Sequence, residues 1–111
     1  MNPSLKRQLL RTFAQMIDDL KDSKEIETFL NDFFDEAELE KYIKRLAIAY
    51  WLKKGRDTEN IKRNLLATSK EITEAKKSLK EEGIKLALKK IEAEEWANVW
   101  TKKIRKTAGN N

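Results

Sequence analysis

Helix breakers are almost missing from this chain. Its one proline is Pro3 and its glycines are Gly55, Gly83 and Gly109, so nothing interrupts the stretch between Pro3 and Gly55. A backbone filled with Leu, Ala, Glu, Lys and Arg and given so few places to turn sharply folds as helices joined by short bends. No segment shows the alternation of apolar and polar residues that a half-buried strand requires. The sequence therefore predicts an all-α protein. Its 111 residues, 40% of them hydrophobic, fit one domain over 1–111 with a modest core. Helical chains of this size often complete such a core by pairing with a second copy.

The periodicity predicts six helices. The first runs from about Pro3 to Leu20, with Leu5, Leu9, Phe13, Met16 and Leu20 on one stripe. A short second helix opens at Ser23 and carries Ile26, Phe29, Leu30 and Phe33. Asp35 followed by Glu38 forms a capping box for a third helix that ends at Lys54, before Gly55. The second half of that helix, with Ile48, Tyr50, Trp51 and Leu52, is apolar nearly all round and so belongs in the core. Two shorter helices are predicted at 58–64 and 69–82, the later one opened by Thr68 with Glu71 and closed by Gly83. The last helix, 84–106, shows Ile84, Leu88 and Ile91 on one side and Trp96, Trp100 and Ile104 on another, as if one end packs at home and the other on a partner.

Composition excludes several classes of function. With no cysteine there is no disulfide and no thiolate metal site, and with no histidine the commonest general base and metal ligand is lost. The carboxylate groups Asp18, Asp19, Asp22 and Glu92, Glu94, Glu95 lack the spacing of a calcium loop and read as solvated helix faces. No metal and no cofactor is expected, and an enzyme would have to work with Lys, Asp and Glu alone. The longest apolar run, 46–52, is too short to span a membrane, and 5–20 is too charged for a signal peptide, so a cytoplasmic protein is expected. The net charge of +5 is compatible with a polyanionic partner.

Counting from Thr58, the fourth, eighth, tenth, fifteenth and eighteenth positions are Ile61, Leu65, Ala67, Ile72 and Ala75, all apolar. That is the inward pattern of a helix-turn-helix at about 58–82, in which two short helices cross steeply and leave the outer face of the second free for the major groove. The outer face would present Ser69, Lys70, Thr73, Glu74, Lys77 and Lys80, with Lys76 at its flank and Arg56, Lys62 and Arg63 around the first helix. Hydroxyls and lysines so placed can meet phosphates and base edges. The plainer alternative is a solvated helix with alternating charges.

From Asp35 to about Gly83 the chain resembles the Trp repressor superfamily, especially its small YerC/YecD-like branch. The resemblance is carried by the start Asp35-Glu36-Ala37-Glu38-Leu39, by the run from Arg45 through Tyr50-Trp51-Leu52 to Gly55, by Ile61, and by Ser69-Lys70-Glu71-Ile72-Thr73 leading to Leu79 and Gly83. It implies a six-helix subunit, an interlocked homodimer and double-stranded operator DNA read by paired recognition helices. The departures carry information too. Leu66 stands where such turns usually hold glycine, and a leucine there resists a left-handed backbone, which predicts a turn of different shape. Lys62 occupies a normally small position. Glu74 replaces the arginine of the recognition helix and Ala75 the adjoining glycine. Arg45 survives from the arginine pair that holds a corepressor carboxylate, so it is a ligand candidate or else the ion-pair partner of Glu74, and tryptophan is not expected as corepressor.

Two functions remain in competition. One is a sequence-specific, dimeric DNA-binding regulator. The other is a degenerate relative that kept the helical dimer and became a protein-interaction module. Four lysines and four glutamates cancel within 69–82, which favours the second. Arg56, Lys62 and Arg63, with the basic last helix, favour the first.

Overall fold

The computed structural model describes the backbone of residues 1–109 and the side chains of residues 1–95. Six helices follow one another: α1 (Pro3–Asp19), α2 (Ser23–Phe33), α3 (Glu36–Lys53), α4 (Thr58–Leu65), α5 (Ser69–Ser78) and α6 (Glu82–Gly109). No strand occurs among the described residues. Local capping explains the starts. Asn2, Asp22, Asp57 and Thr68 each accept a backbone N–H from three residues on, and Pro3 sits where its missing donor costs nothing. The expected box at Asp35 forms in both directions, Glu38 N–H to Asp35 at 2.8 Å and Asp35 N–H to Glu38 at 3.3 Å.

The chain divides into two compact units, 1–40 and 41–111, with α3 contributing to both. The first is held by aromatic packing: Phe13, Phe29 and Phe33 have ring centroids 5.1 to 6.0 Å apart. Yet none of its residues is buried, and of the stripe predicted on α1 only Phe13, Met16 and Leu20 are half-buried. Leu5, Leu9, Leu10 and Phe33 keep 43 to 62% of their surface in water.

The second unit holds the core. Ile48, Ala49 and Tyr50 of α3 meet Ile61 of α4, Ala67 of the following bend, Ile72 and Ala75 of α5 and Leu88 of α6. Ile48, Ile61 and Leu88 are fully buried, each contributing about 1.5–3 kcal/mol of transfer free energy. Ile84 and Ile91 pack against the same cluster, so the early face of α6 lies where its pattern placed it. Polar contacts fasten α6 to the end of α3. Lys53 and Lys54 lie 3.6 and 3.9 Å from Glu92. Burial, and then a hydrogen bond with Glu95, push the Tyr50 hydroxyl up to about 12. Trp96, Trp100 and Ile104, expected on a second face, lie outside the described side chains.

Two expectations about the bihelical unit need correction. The second helix ends at Ser78 rather than 82. Ser78 Oγ donates to the Ala75 carbonyl at 2.6 Å in the last turn. Leu79 N–H turns to Lys76 O and Glu81 N–H to Ser78 O, while Gly83 falls inside the first turn of α6. The bend between α4 and α5 also keeps its left-handed residue despite the absence of glycine: Leu66 adopts φ 52° and ψ 43°. Lys44, on α3, explains how. Its Nζ donates to the Leu66 carbonyl at 2.7 Å and pairs with Glu71 at 3.2 Å, and Glu71 in turn accepts the Thr68 N–H at 2.9 Å.

This network predicts two opposite changes. Lys44→Met keeps the apolar stem, removes both polar contacts and is expected to cost about 1–2 kcal/mol. Leu66→Gly is expected to stabilise, because a left-handed leucine costs roughly 1–2 kcal/mol and glycine's extra chain entropy only about 0.5–1 kcal/mol. At 81% exposure the Leu66 side chain gives up little burial in exchange. Both follow from denaturant midpoints at equal chain concentration; a destabilised Leu66→Gly would show that the leucine side chain itself holds the bend.

Acid should loosen the same bend. The Thr68 N–H first, and Lys44 second, hold the Glu71 carboxyl below its ordinary 4.5. A depressed carboxyl stabilises the fold above that value and loses the contribution as pH falls through its folded pKa. Glu71→Gln should therefore show a shallower loss of stability on acidification than the parent chain, and superimposable pH profiles would contradict the assignment.

Candidate nucleic-acid interface

The outward side of the bihelical unit follows from what its inward side buries. Ile61, Ala67, Ile72 and Ala75 are buried and Leu65 is half-buried against them. On α5 the buried residues Ile72, Ala75 and Ser78 define one face, and the opposite face is water-exposed. That face carries Ser69, Lys70, Thr73, Glu74 and Lys77, with Lys76 beside them, all exposed. Thr68 and Glu71 close a reciprocal capping box, which fixes where α5 starts and therefore which residues face outward.

Not every predicted residue joins this surface in the same way. Lys80 is exposed but lies beyond the end of α5, in the turn before α6. Lys62 is half-buried and spends its charge on Glu59 at 3.8 Å, so it is the least free of the group. Arg63 is exposed on α4, and Arg56 is exposed just ahead of it, beside the N-cap Asp57. Thr73 Oγ1 donates to the Ser69 carbonyl at 2.9 Å and keeps its lone pairs for an outside donor.

Arg45 lies where three hollows meet. The most apolar of them, about 300 Å³, is lined by Tyr42, Arg45, Leu46, Ala49, Ser78 and Ile84. A smaller one of about 180 Å³ is lined by Lys41, Tyr42, Arg45, Glu71 and Glu74. Arg45 and Glu74 thus face a common space, but they do not form the internal ion pair that their positions suggested; among the described residues the pair across α3 and α5 is Lys44 with Glu71. Lys44 sits one residue before Arg45 and so points to a different side of α3, reaching the bend. An anion entering the smaller hollow would meet two cations, Lys41 and Arg45, and two like charges, Glu71 and Glu74, so the lining carries no net positive charge with which to clamp a carboxylate.

Sequence reasoning missed Lys44. Its partners are 22 and 27 positions away, and nothing in the local pattern distinguishes it from the other lysines of α3. The unusual Leu66 was the available signal, since a strained bend requires something to hold its carbonyl.

Among the described residues, no group of His, Cys, Asp or Glu is arranged to hold a metal ion, and no helix is long and apolar enough to cross a membrane. No curated protein and no solved structure matches the chain. A family model does match, that of the Trp repressor protein, over residues 8–92. This is a family of helix-turn-helix DNA-binding regulators, not of enzymes, and its expected all-α arrangement is the one found. From the first helix through the bihelical unit and into α6, the chain belongs to the Trp repressor family.

Proposed function

We propose that this protein is a sequence-specific transcriptional regulator that binds double-stranded DNA as a homodimer, with α5 as the recognition helix and the whole chain acting as one Trp repressor-like domain in the cytoplasm. The observation that carries the reading is the division of α5 into a fully packed inner face and an outer face bearing Ser69, Lys70, Thr73 and Lys77. Thr73 and Ser69 suit base edges, and Lys70, Lys76, Lys77 and Lys80 suit phosphates. Arg56, Lys62 and Arg63 add backbone contacts from the first helix, which in this motif crosses the phosphate strand. Glu74 repels phosphate but can accept from a cytosine amino group, so its place is at the groove floor.

The dimer is supported by the first unit. Helices that bury no residue while exposing Leu5, Leu9, Leu10 and Phe33 do not offset their own conformational entropy, and a second copy would supply the missing surface. Tyr42 and Ile43 on α3 add exposed apolar area of the same kind. Tryptophan is not proposed as corepressor, because Glu74 and Ala75 occupy the positions from which the family likeness implies a cation and a glycine.

Selection from a random duplex library should recover a consensus of two half-sites about one helical turn apart. Recovery of no enriched sequence would favour the protein-interaction module, to which the balanced charge of 69–82 already gives some support. Lys77→Ala should weaken binding to all sequences alike and flatten the salt dependence by about 0.9 in log–log slope. Light scattering should return about twice the chain mass of 13.0 kDa; a clean monomer at micromolar concentration would contradict the dimer.

A further inference from the structure

The end of α3 and the start of α4 are joined by a turn that does more than reverse the chain. Gly55 takes φ +86°, its N–H bonds Leu52 O at 3.0 Å and the Arg56 N–H reaches back to Trp51 O at 3.1 Å. This double closure is the Schellman arrangement, whose geometry brings the side chain after the glycine over the one four residues before it. An apolar pair normally fills that contact. Here the pair is Arg56 on Trp51, with the guanidinium carbon 3.8 Å from the indole ring centroid. Arg56 Nη1 also donates to Asn60 Oδ1 at 3.4 Å, and Asn60 is itself fixed by its N–H to Asp57 at 2.8 Å.

The guanidinium is therefore oriented on one face by an aromatic ring and on one edge by an amide, and the rest of its donor edge is exposed. No carboxylate pairs with it among the described residues. The nearby acids are occupied: Asp57 caps α4, and Glu59 faces Lys62. Most other cations of this region are long, rotamer-rich lysines, and the half-buried Lys44 and Lys62 are tied to Glu71 and Glu59. A cation already fixed in place loses less freedom on meeting an anion, and Arg's planar fork matches the geometry of a phosphate.

We propose that Arg56, stacked on Trp51 and steadied by Asn60, is a pre-ordered clamp for one backbone phosphate of the duplex, and that Trp51 is its positioning residue. The assignment rests on the DNA-binding reading above. It fits the place of Arg56 immediately before the helix that crosses the phosphate strand, and it adds a sequence-independent grip to an α5 whose three lysines and two glutamates leave only one net positive charge.

The test is a salt titration of binding to a fluorescent random-sequence duplex, using the full chain and variants whose thermal unfolding has been compared with it. Arg56→Gln should flatten the log–log salt slope by about 0.9, the loss of one phosphate contact. Trp51→Phe should keep near-parent affinity, whereas Trp51→Leu, which retains apolar volume and loses the ring, should weaken binding about two- to fivefold at fixed salt. The decisive measurement is the Trp51→Leu effect in an Arg56→Gln background, where it should vanish. An unchanged slope in Arg56→Gln, or a Trp51→Leu loss that persists without Arg56, overturns the clamp and leaves the regulator reading standing. If the parent chain binds no duplex even at low salt, the regulator reading itself fails, and the clamp with it.

Discussion

The reading of this molecule depends on how one bend of three residues is held. Between α4 and α5 the chain must turn steeply enough to put Ile61 and Ile72 into the same core, and it does so through a leucine in the left-handed region. That conformation is unfavourable for any residue with a Cβ. It persists because Lys44 spans from α3 to the bend carbonyl and to Glu71, the residue whose carboxylate also caps α5. One lysine thus links the central helix, the strained turn and the start of α5. Without that link the orientation of Ser69, Lys70 and Thr73 would rest on the Thr68–Glu71 capping box and on apolar packing.

The distribution of burial makes a second point about assembly. Among the described residues the bihelical half has a core of eight buried hydrophobic residues, whereas the N-terminal half has aromatic contacts but no buried side chain. Hydrophobic stabilisation scales with area removed from water, so the two halves cannot be equally stable as isolated pieces. A regulator built this way would carry its DNA-reading unit on a nearly self-sufficient core and leave association to helices that gain most of their stability from a partner. Folding of the N-terminal half and formation of the dimer would then be one event rather than two.

Much of this was legible from the sequence because the strongest signals were local. Capping residues set the starts of α1 through α5 to within a residue, and the five apolar positions from Ile61 to Ala75 turned inward as their spacing required. What failed was set by competition at short range or by partners far along the chain. Gly83 looked like a helix terminator, but α5 ends four residues earlier, at Ser78, where the Leu79 N–H bonds Lys76 O and the Glu81 N–H bonds Ser78 O. Leu66 looked incompatible with a left-handed turn, but backbone bonds from Leu66 and Ala67 N–H to Lys62 O close the bend, and a lysine 22 positions away holds the Leu66 carbonyl. Arg45 and Glu74 looked like natural ion-pair partners by position, but sharing a hollow is a weaker condition than closing to contact distance. The outer face of α5 was legible as exposed, whereas its chemistry toward DNA is a matter of groups meeting a partner and is not written in periodicity.

The charge pattern, finally, separates affinity from discrimination. α5 holds three lysines against two glutamates, so if it reads the duplex it draws limited binding free energy from phosphates, and much of the electrostatic grip would come from around it. Arg56 and Arg63 are exposed on or beside α4, and the sequence adds an excess of lysine and arginine in the last helix. In that arrangement α5 is freed from holding the duplex and can carry an acidic residue at its centre. Glu74 is costly if the helix must grip phosphate and useful if it must distinguish one base edge from another. The same residue adds a carboxylate to the hollow that Arg45 and Lys41 line.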